Sequence, residues 1–550
     1  MPGLRNSRRR LIGTLLVGLA LTGCGENGSL ISAPQIEVGT ALADQQALDR
    51  QIGASPRTLD PSLATDVASQ HVLDDLFEGL VTLDQAGDIV PGVAARWQRS
   101  ADGLTWTFQL RDNARWSNGK PVTAQDFLYA WKRILDPATA SEYAQALGPI
   151  INALAINAGK LPPAQLGAEA PDAHTLIVHL VIPTPYFLNL LTNMYLAPEY
   201  APAIKQWGEA WTRPGHMVSN GAFMLKSAVI NGNIVATKNP YYWDAKNVHL
   251  TRVTYHTASG ASTVSQYLGG TVDWTDGFPA NDAARLKRVL GSQVVHGPYF
   301  GTAMLGFNLD QAPFKGNRKL RLALSMAVDR VVLAKYLNHG LVLPAYNLIP
   351  PLKHYTAAIP SWAKLPGDQR HALARKLYRE AGYSKAHPLQ VAMTFAAGNA
   401  GTRQFMEALA AMWRMNLGAD ITINNLQWKV LLQSLQLRQL KLFWSAWIGD
   451  FPDPFTFMQL FTSGFPQNHG DYRNPAFDAL IDRAQHTVDP TARYALFTQA
   501  EGILNHDAPY LPMYFYEASH LIKPYVKGWK SNVVDRHLSR YIYILEHKGG

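Results

Sequence analysis

The sequence predicts an α/β chain with mixed sheets, on three observations. Stretches that alternate polar and apolar residues interleave with stretches carrying apolar residues three and four apart, from one end to the other. The 550 residues are 47% hydrophobic and 17% charged, an ordinary globular balance in a length that calls for several domains or one lobed body. Beyond the first two dozen residues no run is long and apolar enough to span a bilayer.

In chain order, Leu59-Asp60-Pro61 makes a turn. Residues 75–81 read as a helix that stops at Gly79 and enters a strand. Residues 105–110, TWTFQL, alternate as a half-buried strand does, and Ser117-Asn118-Gly119-Lys120 supplies the next turn. Thr123 opens a helix with Asp126 placed as a capping-box acid, and Phe127, Leu128, Trp131, Ile134 and Leu135 share one face. Asp136-Pro137 closes it, residues 161–171 have the composition of a surface excursion, and 175–180 are again a strand. Short strands follow from Asn220, among them 233–237 and 252–256. A long helix is predicted over 317–337, with Leu320, Leu324, Ala327, Val328 and Val331 facing inward, and another over 402–417, stopped by Gly418 in a left-handed cap. Strands at 421–426 and 442–448 and helices at 475–486 and 490–505 complete the pattern, without internal repeat or low-complexity tract.

The chemically distinctive stretch is 442–454, LFWSAWIGDFPDP. A short apolar run carrying Trp444 and Trp447 delivers one acid, Asp450, where Pro452 and Pro454 forbid regular structure from continuing. A carboxylate at the end of a buried strand, beside large rings, suits a cationic group of a ligand. Asp before proline-rich sequence usually starts a turn, and local sequence alone favours that plainer reading. Trp428 and Trp447 each flank a strand end near a polar turn, where an amphipathic ring can line a cavity.

Net charge is +9, of which Arg5, Arg8, Arg9 and Arg10 supply four, leaving +5 for the remainder. So mild a charge, with no basic block outside the N-terminus, argues against nucleic acid as a partner. The basic start, the apolar run 11–21 and the small residues before Cys24 read as a cleaved signal. Leu21-Thr22-Gly23-Cys24 resembles the bacterial lipobox, which implies a diacylated Cys24 and stable anchoring to a membrane. Cys24 is the sole cysteine, so disulfides are excluded, and residues 25–34 read as a tether.

Catalytic signatures are missing. There is no G-x-S-x-G elbow, H-E-x-x-H, P-loop or dinucleotide fingerprint. Ser361-Trp362-Ala363-Lys364 matches S-x-x-K, but without its S-D-N and K-T-G companions. The 17 histidines lack metal-ligand spacing, so neither a metal nor a cofactor is expected.

Residues 104–137, LTWTFQLRDNARWSNGKPVTAQDFLYAWKRILDP, closely resemble the signature region of the extracytoplasmic solute-binding proteins of ABC importers, in particular the oligopeptide-binding group. In register with it, NGAF at 220–223, NPYYW at 239–243, RKLRLALSMAVDR at 318–330, EAGY at 380–383 and YRNPAFD at 472–478 each look like the corresponding family block. The likeness runs from about residue 35 to the C-terminus. It implies a bilobal, periplasmic-binding-protein-like (type II) fold with mixed sheets and a third, inserted domain. Lobe I would combine 35–77, 200–299 and 517–550, the extra domain 78–199, and lobe II 300–516. It further implies a monomeric, non-enzymatic periplasmic receptor whose partners are peptides and the permease subunits of an ABC transporter. Asp450 would bind the peptide α-ammonium, which reverses the local reading. Backbone groups of Ala446 and Ile448, and of Val67 from the other lobe, would pair with the peptide main chain, while Trp447, Trp428 and Tyr299 would line side-chain pockets. Three positions depart from the family pattern. Trp444 stands where an arginine is usual beside the anchoring strand, and Leu435 and Thr402 stand where an arginine and a histidine meet peptide carboxylates. Arg403, Arg438 and Lys441 lie near enough in sequence to substitute. The departures leave room for a receptor tuned to a cell-wall peptide or another amine-bearing ligand, and an envelope hydrolase is the alternative from another class. A binder would return mixed peptides intact, whereas a hydrolase would shorten them.

Overall fold

The computed structural model describes residues 36–229, 232–257, 261–336, 339–397 and 400–549. The expected signal segment, its Cys24 and the tether 25–34 lie outside these residues. Among them the strands assemble into five sheets. One sets Ala47–Gln51, Arg252–His256, Ile234–Lys238 and Phe223–Ala228 side by side, the first pair parallel and the others antiparallel. A small sheet ties Glu37–Leu42 to Tyr543–Lys548, bringing the two ends of the described chain together. Ala94–Arg99, Thr105–Leu110, Thr175–His179 and Ala168–Glu169 form an antiparallel sheet that shares its core with the helix Ala124–Leu135. A two-stranded ribbon pairs Val81–Leu83 with Ile89–Pro91. The largest sheet orders Val342–Pro344, Tyr510–Leu521, Val294–Phe307, Leu442–Ile448, Gln390–Ala396 and Asp420–Leu426. Its last two junctions are parallel and the others antiparallel, so the mixed sheets expected from the sequence are present.

Local sequence explains most boundaries. The Ala124–Leu135 helix starts on a reciprocal capping box of Thr123 and Asp126. Ala400–Leu417 ends at Gly418, whose φ of 75° supplies the left-handed cap. Two expectations fail. The helix ending near residue 79 is Val67–Leu76, closed at Phe77. Gly79 serves a close approach instead, because a Cβ there would sit 2.9 Å from the Leu191 carbonyl oxygen. The single helix 317–337 is two, Arg318–Met326 and Arg330–Tyr336. Asp329 causes the break by accepting the Val332 N–H at 3.1 Å, as a fresh N-cap does. Arg330 then turns inward to donate to the Pro512 and Ser325 carbonyls, and Val331, expected inside, is 55% exposed.

One buried charge cluster joins distant segments. The guanidinium of Arg133 meets Asp60 at 2.6 Å and Glu199 at 2.9 Å, and Trp211 and Ser62 add hydrogen bonds to the two acids. Two carboxylates share one cation, and Glu199 is fully buried. Burial, helped by the Asp60 charge and opposed by Arg133, pushes the Glu199 carboxyl up to about 7. A carboxyl raised in the folded state contributes stability that is complete below its unfolded value and lost as pH rises through about 7. Glu199→Gln, which keeps the shape and removes the charge, is expected to melt a few degrees above the unsubstituted protein at about pH 8.5 and level with it at about pH 5. Thermal melts at the two pH values check this.

Candidate ligand-binding site

The strand Leu442–Ile448 is paired along its whole length with residues 301–307 on one side. On the other, pairing with Gln390–Ala396 is confined to Met393 opposite Leu442 and Thr394 opposite Phe443. From Trp444 onward this second edge has no strand partner among the described residues. Register decides which groups face it. Antiparallel partners alternate between bonded and non-bonded pairs. Gly449 donates to the Phe300 carbonyl at 2.7 Å and Asn308 to that of Lys441 at 2.9 Å. The odd-numbered residues from 441 to 449 therefore turn their backbone groups toward the 301–307 strand. Ala446 and Ile448 turn theirs to the open edge.

At Gly449 the chain passes so close to Phe300 that a Cβ would collide with its ring. Asp450 follows. Its N–H donates to Thr456 Oγ1 at 3.2 Å, the same hydroxyl accepts Trp447 Nε1 at 3.0 Å, and it lies 3.3 Å from Asp450 Oδ2, to which it donates. The Asp450 side chain reaches solvent, yet the protein around it desolvates it enough to raise its carboxyl above the usual range. The Thr456 hydroxyl pulls the other way, and among the described residues no charged neighbour contributes. Tyr299 and Asp450 stand one residue beyond the Phe300–Gly449 bond on their two strands. Burial, with the carboxylates of Asp535 and Asp276 behind it, pushes the Tyr299 phenol up to about 12.

The loop that carries Asp450 is held from below. Asp453 forms a two-point ion pair with Arg493, one arm at 2.9 Å, both residues buried. Phe451 stacks on Tyr186 at 4.3 Å with Phe455 beyond it. These anchors, and Thr456, were not legible beforehand. Their one local sign is Asp453-Pro454 ahead of the short helix Phe455–Met458, where Asp453 accepts the Phe455 N–H.

The structure thus brings Asp450, Ala446, Ile448, Trp447 and Tyr299 to one end of one sheet. Val67 and Trp428 stand on other elements, each the first residue of a helix, 55% and 60% exposed. As a helical residue Val67 has its N–H free of a helical partner, but its carbonyl points into the helix. Trp444 packs with Phe405 and Tyr514, and Leu435 is buried beside Leu431 and Phe443. Of the substitute cations, Arg438 pairs with Asp471 at 2.6 Å and Arg403 with Glu407 at 2.9 Å on its own helix.

Folding also gathers donors that are scattered in sequence. His520, Asp535 and His537 place ligand atoms within 4.8 Å of one another. His520 Nδ1 donates to the Thr275 carbonyl at 2.9 Å, and both Nε2 atoms meet Asp535 Oδ1, at 2.8 and 2.9 Å. Burial opposes charge on His520, but Asp535 more than offsets it and the ring's pKa is raised. His537 is pushed down to about 4 by burial, with the His520 charge acting in the same sense. Its Nδ1 faces the Asn532 amide nitrogen at 3.4 Å, an orientation set by the two bonds between that amide and the Arg536 backbone. The proton of neutral His537 therefore sits on Nε2, where a metal would have to bind. This donor set is built around protons.

Comparison with known proteins agrees with this architecture. The middle region of the bacterial extracellular solute-binding proteins, family 5, matches residues 88–469. The periplasmic murein peptide-binding protein MppA of Escherichia coli (strain K12) is 38% identical over 94% of this chain and 97% of its own length. Its unliganded open form superposes with a TM-score of 0.85, covering 92% of this chain and 99% of that one. The periplasmic oligopeptide-binding protein OppA of Salmonella typhimurium is 36% identical over 94% of this chain and 96% of its own. OppA of Haemophilus influenzae in complex with the peptide RPPGFSPFR superposes at 0.73, with 34% identity over 92% of this chain and all of the other. The chain belongs to the family 5 bacterial extracellular solute-binding proteins and takes the bilobal, type II periplasmic-binding fold of their oligopeptide-binding members.

Proposed function

We propose that this protein is a periplasmic receptor, tethered to a membrane through a diacylated Cys24, that captures peptides in an interlobe cleft and hands them to an ABC permease. It binds without catalysis, as a solute-binding protein does. The observation that carries the reading is Asp450, a partly desolvated carboxylate with a hydroxyl partner and no cation paired to it among the described residues, at the end of an open strand edge. A peptide laid along that edge takes main-chain hydrogen bonds from Ala446 and Ile448, whatever its side chains, and brings its ammonium to Asp450. Trp447, Tyr299 and Trp428 border its side chains, and the Val67 N–H reaches it from the facing lobe. Lobe I (35–77, 200–299 and 517–550), the extra domain 78–199 and lobe II (300–516) move as bodies. The two connections between lobes run through the long paired strands Val294–Phe307 and Tyr510–Leu521, whose register shifts between Pro298 and Thr302. We place the hinge at this bulge, where ladder bonds are fewest. Anchoring keeps the receptor near its permease and raises its effective concentration there.

The second reading, a receptor for a cell-wall peptide, is favoured by the 38% identity to a murein peptide-binding protein and by the apolar surroundings of Trp444 and Leu435. Native mass spectrometry of the body beyond Cys24, purified without refolding, separates the two. A ladder of short peptides is expected from a general receptor, and one defined species from a specialised one. In titration, N-acetylated peptides are expected to bind at least about tenfold more weakly than their free-amino twins. Equal affinities would remove Asp450 from the amine site.

A further inference from the structure

We propose that Thr456 is the positioning residue for amine recognition: one hydroxyl locks the Asp450 carboxylate and the Trp447 indole into a single unit. This rests on Asp450 being the partner of the ligand's ammonium, as argued above. A threonine hydroxyl has one donor and two acceptor sites. All three are engaged here, accepting from Trp447 Nε1 and Asp450 N–H and donating to Asp450 Oδ2. Nothing else can share this hydroxyl, and with Thr456 fully buried no solvent competes for it.

Its own orientation is fixed from three sides. Its N–H donates to the Asp453 carbonyl at 3.3 Å, its carbonyl accepts Gln459 Nε2 at 3.3 Å, and its methyl occupies the space beside Gly449 that a Cβ would fill. A β-branched residue has little χ1 freedom, so a fixed methyl aims the hydroxyl. Binding Oδ2 leaves Oδ1 without a partner from another residue, among the described residues, for an incoming ammonium. Trp447 and Ile448 point to opposite faces of the strand, so a peptide on this edge sets one side chain on the Trp447 face. Through Thr456 that contact and the ammonium contact are linked.

The test compares Thr456→Val, which exchanges hydroxyl for methyl, with Thr456→Ser, which restores it. Calorimetry with a free-amino tripeptide and its N-acetyl twin, from about pH 4.5 to 8, reads both affinity and its loss in acid. Thr456→Val is expected to weaken the free-amino peptide about tenfold, to weaken the acetylated peptide, which loses only the Trp447 contact, by clearly less, and to move the acid limb up by about half to one pH unit, because the carboxylate loses a donor. Thr456→Ser should return all three toward the starting values. Equal weakening of both peptides, or an acid limb that stays in place, would overturn the assignment. Thr456→Ala gives the same readouts if the valine variant does not fold. Asp450→Asn serves as the control. If it keeps the free-to-acetylated ratio, the Asp450 reading itself falls; if it abolishes the ratio while Thr456→Val preserves it, only the role of Thr456 falls.

Discussion

Asp450→Asn is expected to bind free-amino peptides about 10- to 150-fold more weakly, the equivalent of one charge-assisted hydrogen bond of about 1.5–3 kcal/mol. Asparagine keeps an oxygen for the Thr456 hydroxyl, so the loop should stay in place and the melting temperature should move by no more than a degree or so. The loss then belongs to the charge. N-acetylated peptides, which bring no ammonium, should bind the variant and the unsubstituted protein alike. Acid provides a second readout. Because burial raises the Asp450 carboxyl, it is protonated at a higher pH than an ordinary carboxylate. Affinity for free-amino peptides should therefore begin to fail at correspondingly mild acidity, and the variant should lack this limb. Near-unchanged affinity in a folded variant would end the anchor assignment.

Asp453→Ala is expected to cost more in stability than any other single change near the site. Among the described residues it leaves the Arg493 guanidinium buried against the Ala484 carbonyl and the flanking Phe497 and Tyr186 rings, with no anion. Removing one partner of a buried ion pair costs about 3–5 kcal/mol. Thermal and urea unfolding should both register it. Peptide binding should weaken too, since Phe451, Asp453 and Phe455 fix the loop on which Asp450 stands. The double variant Asp453→Leu, Arg493→Met separates charge from packing. Replacing a whole buried pair by apolar residues is often neutral, so much of the stability should return. If the double variant is as unstable as Asp453→Ala, the pair acts through shape and not through its charges.

What could be read from the sequence was mostly local. The Thr123–Asp126 capping box, the alternation over Thr105–Leu110, the left-handed cap at Gly418 and the strand leading to Asp450 each depend on neighbours within a few residues. The break at Asp329 was hidden because the apolar period runs through it. Leu320, Leu324, Ala327 and Val328 are all buried, and only Arg330, turning inward, reveals a new axis. Features that need distant segments gave no sign. The open edge exists because Gln390–Ala396 stops pairing after Thr394, and no property of residues 442–448 encodes that. The His520–Asp535–His537 group joins a strand to a later loop, and Thr456 gains its role only once the chain has folded back on Asp450. The family resemblance supplied the expectation for Asp450, Ala446 and Ile448; the register shows that those two backbone positions, and not Trp447 between them, face outward.

The brevity of the open edge carries a consequence for the company this protein keeps. An unpaired strand edge ordinarily accepts any extended chain, and in an envelope crowded with unfolded precursors that is a hazard. Here the outward-facing residues are too few to hold a strand by backbone bonds alone, and the edge stops at a carboxylate. A segment from the middle of a polypeptide brings no ammonium and would bury the Asp450 charge uncompensated. With Asp450 as the partner of the ammonium, as proposed, the site would tell chain ends from chain interiors: it would collect degradation products while passing over the proteins from which they came.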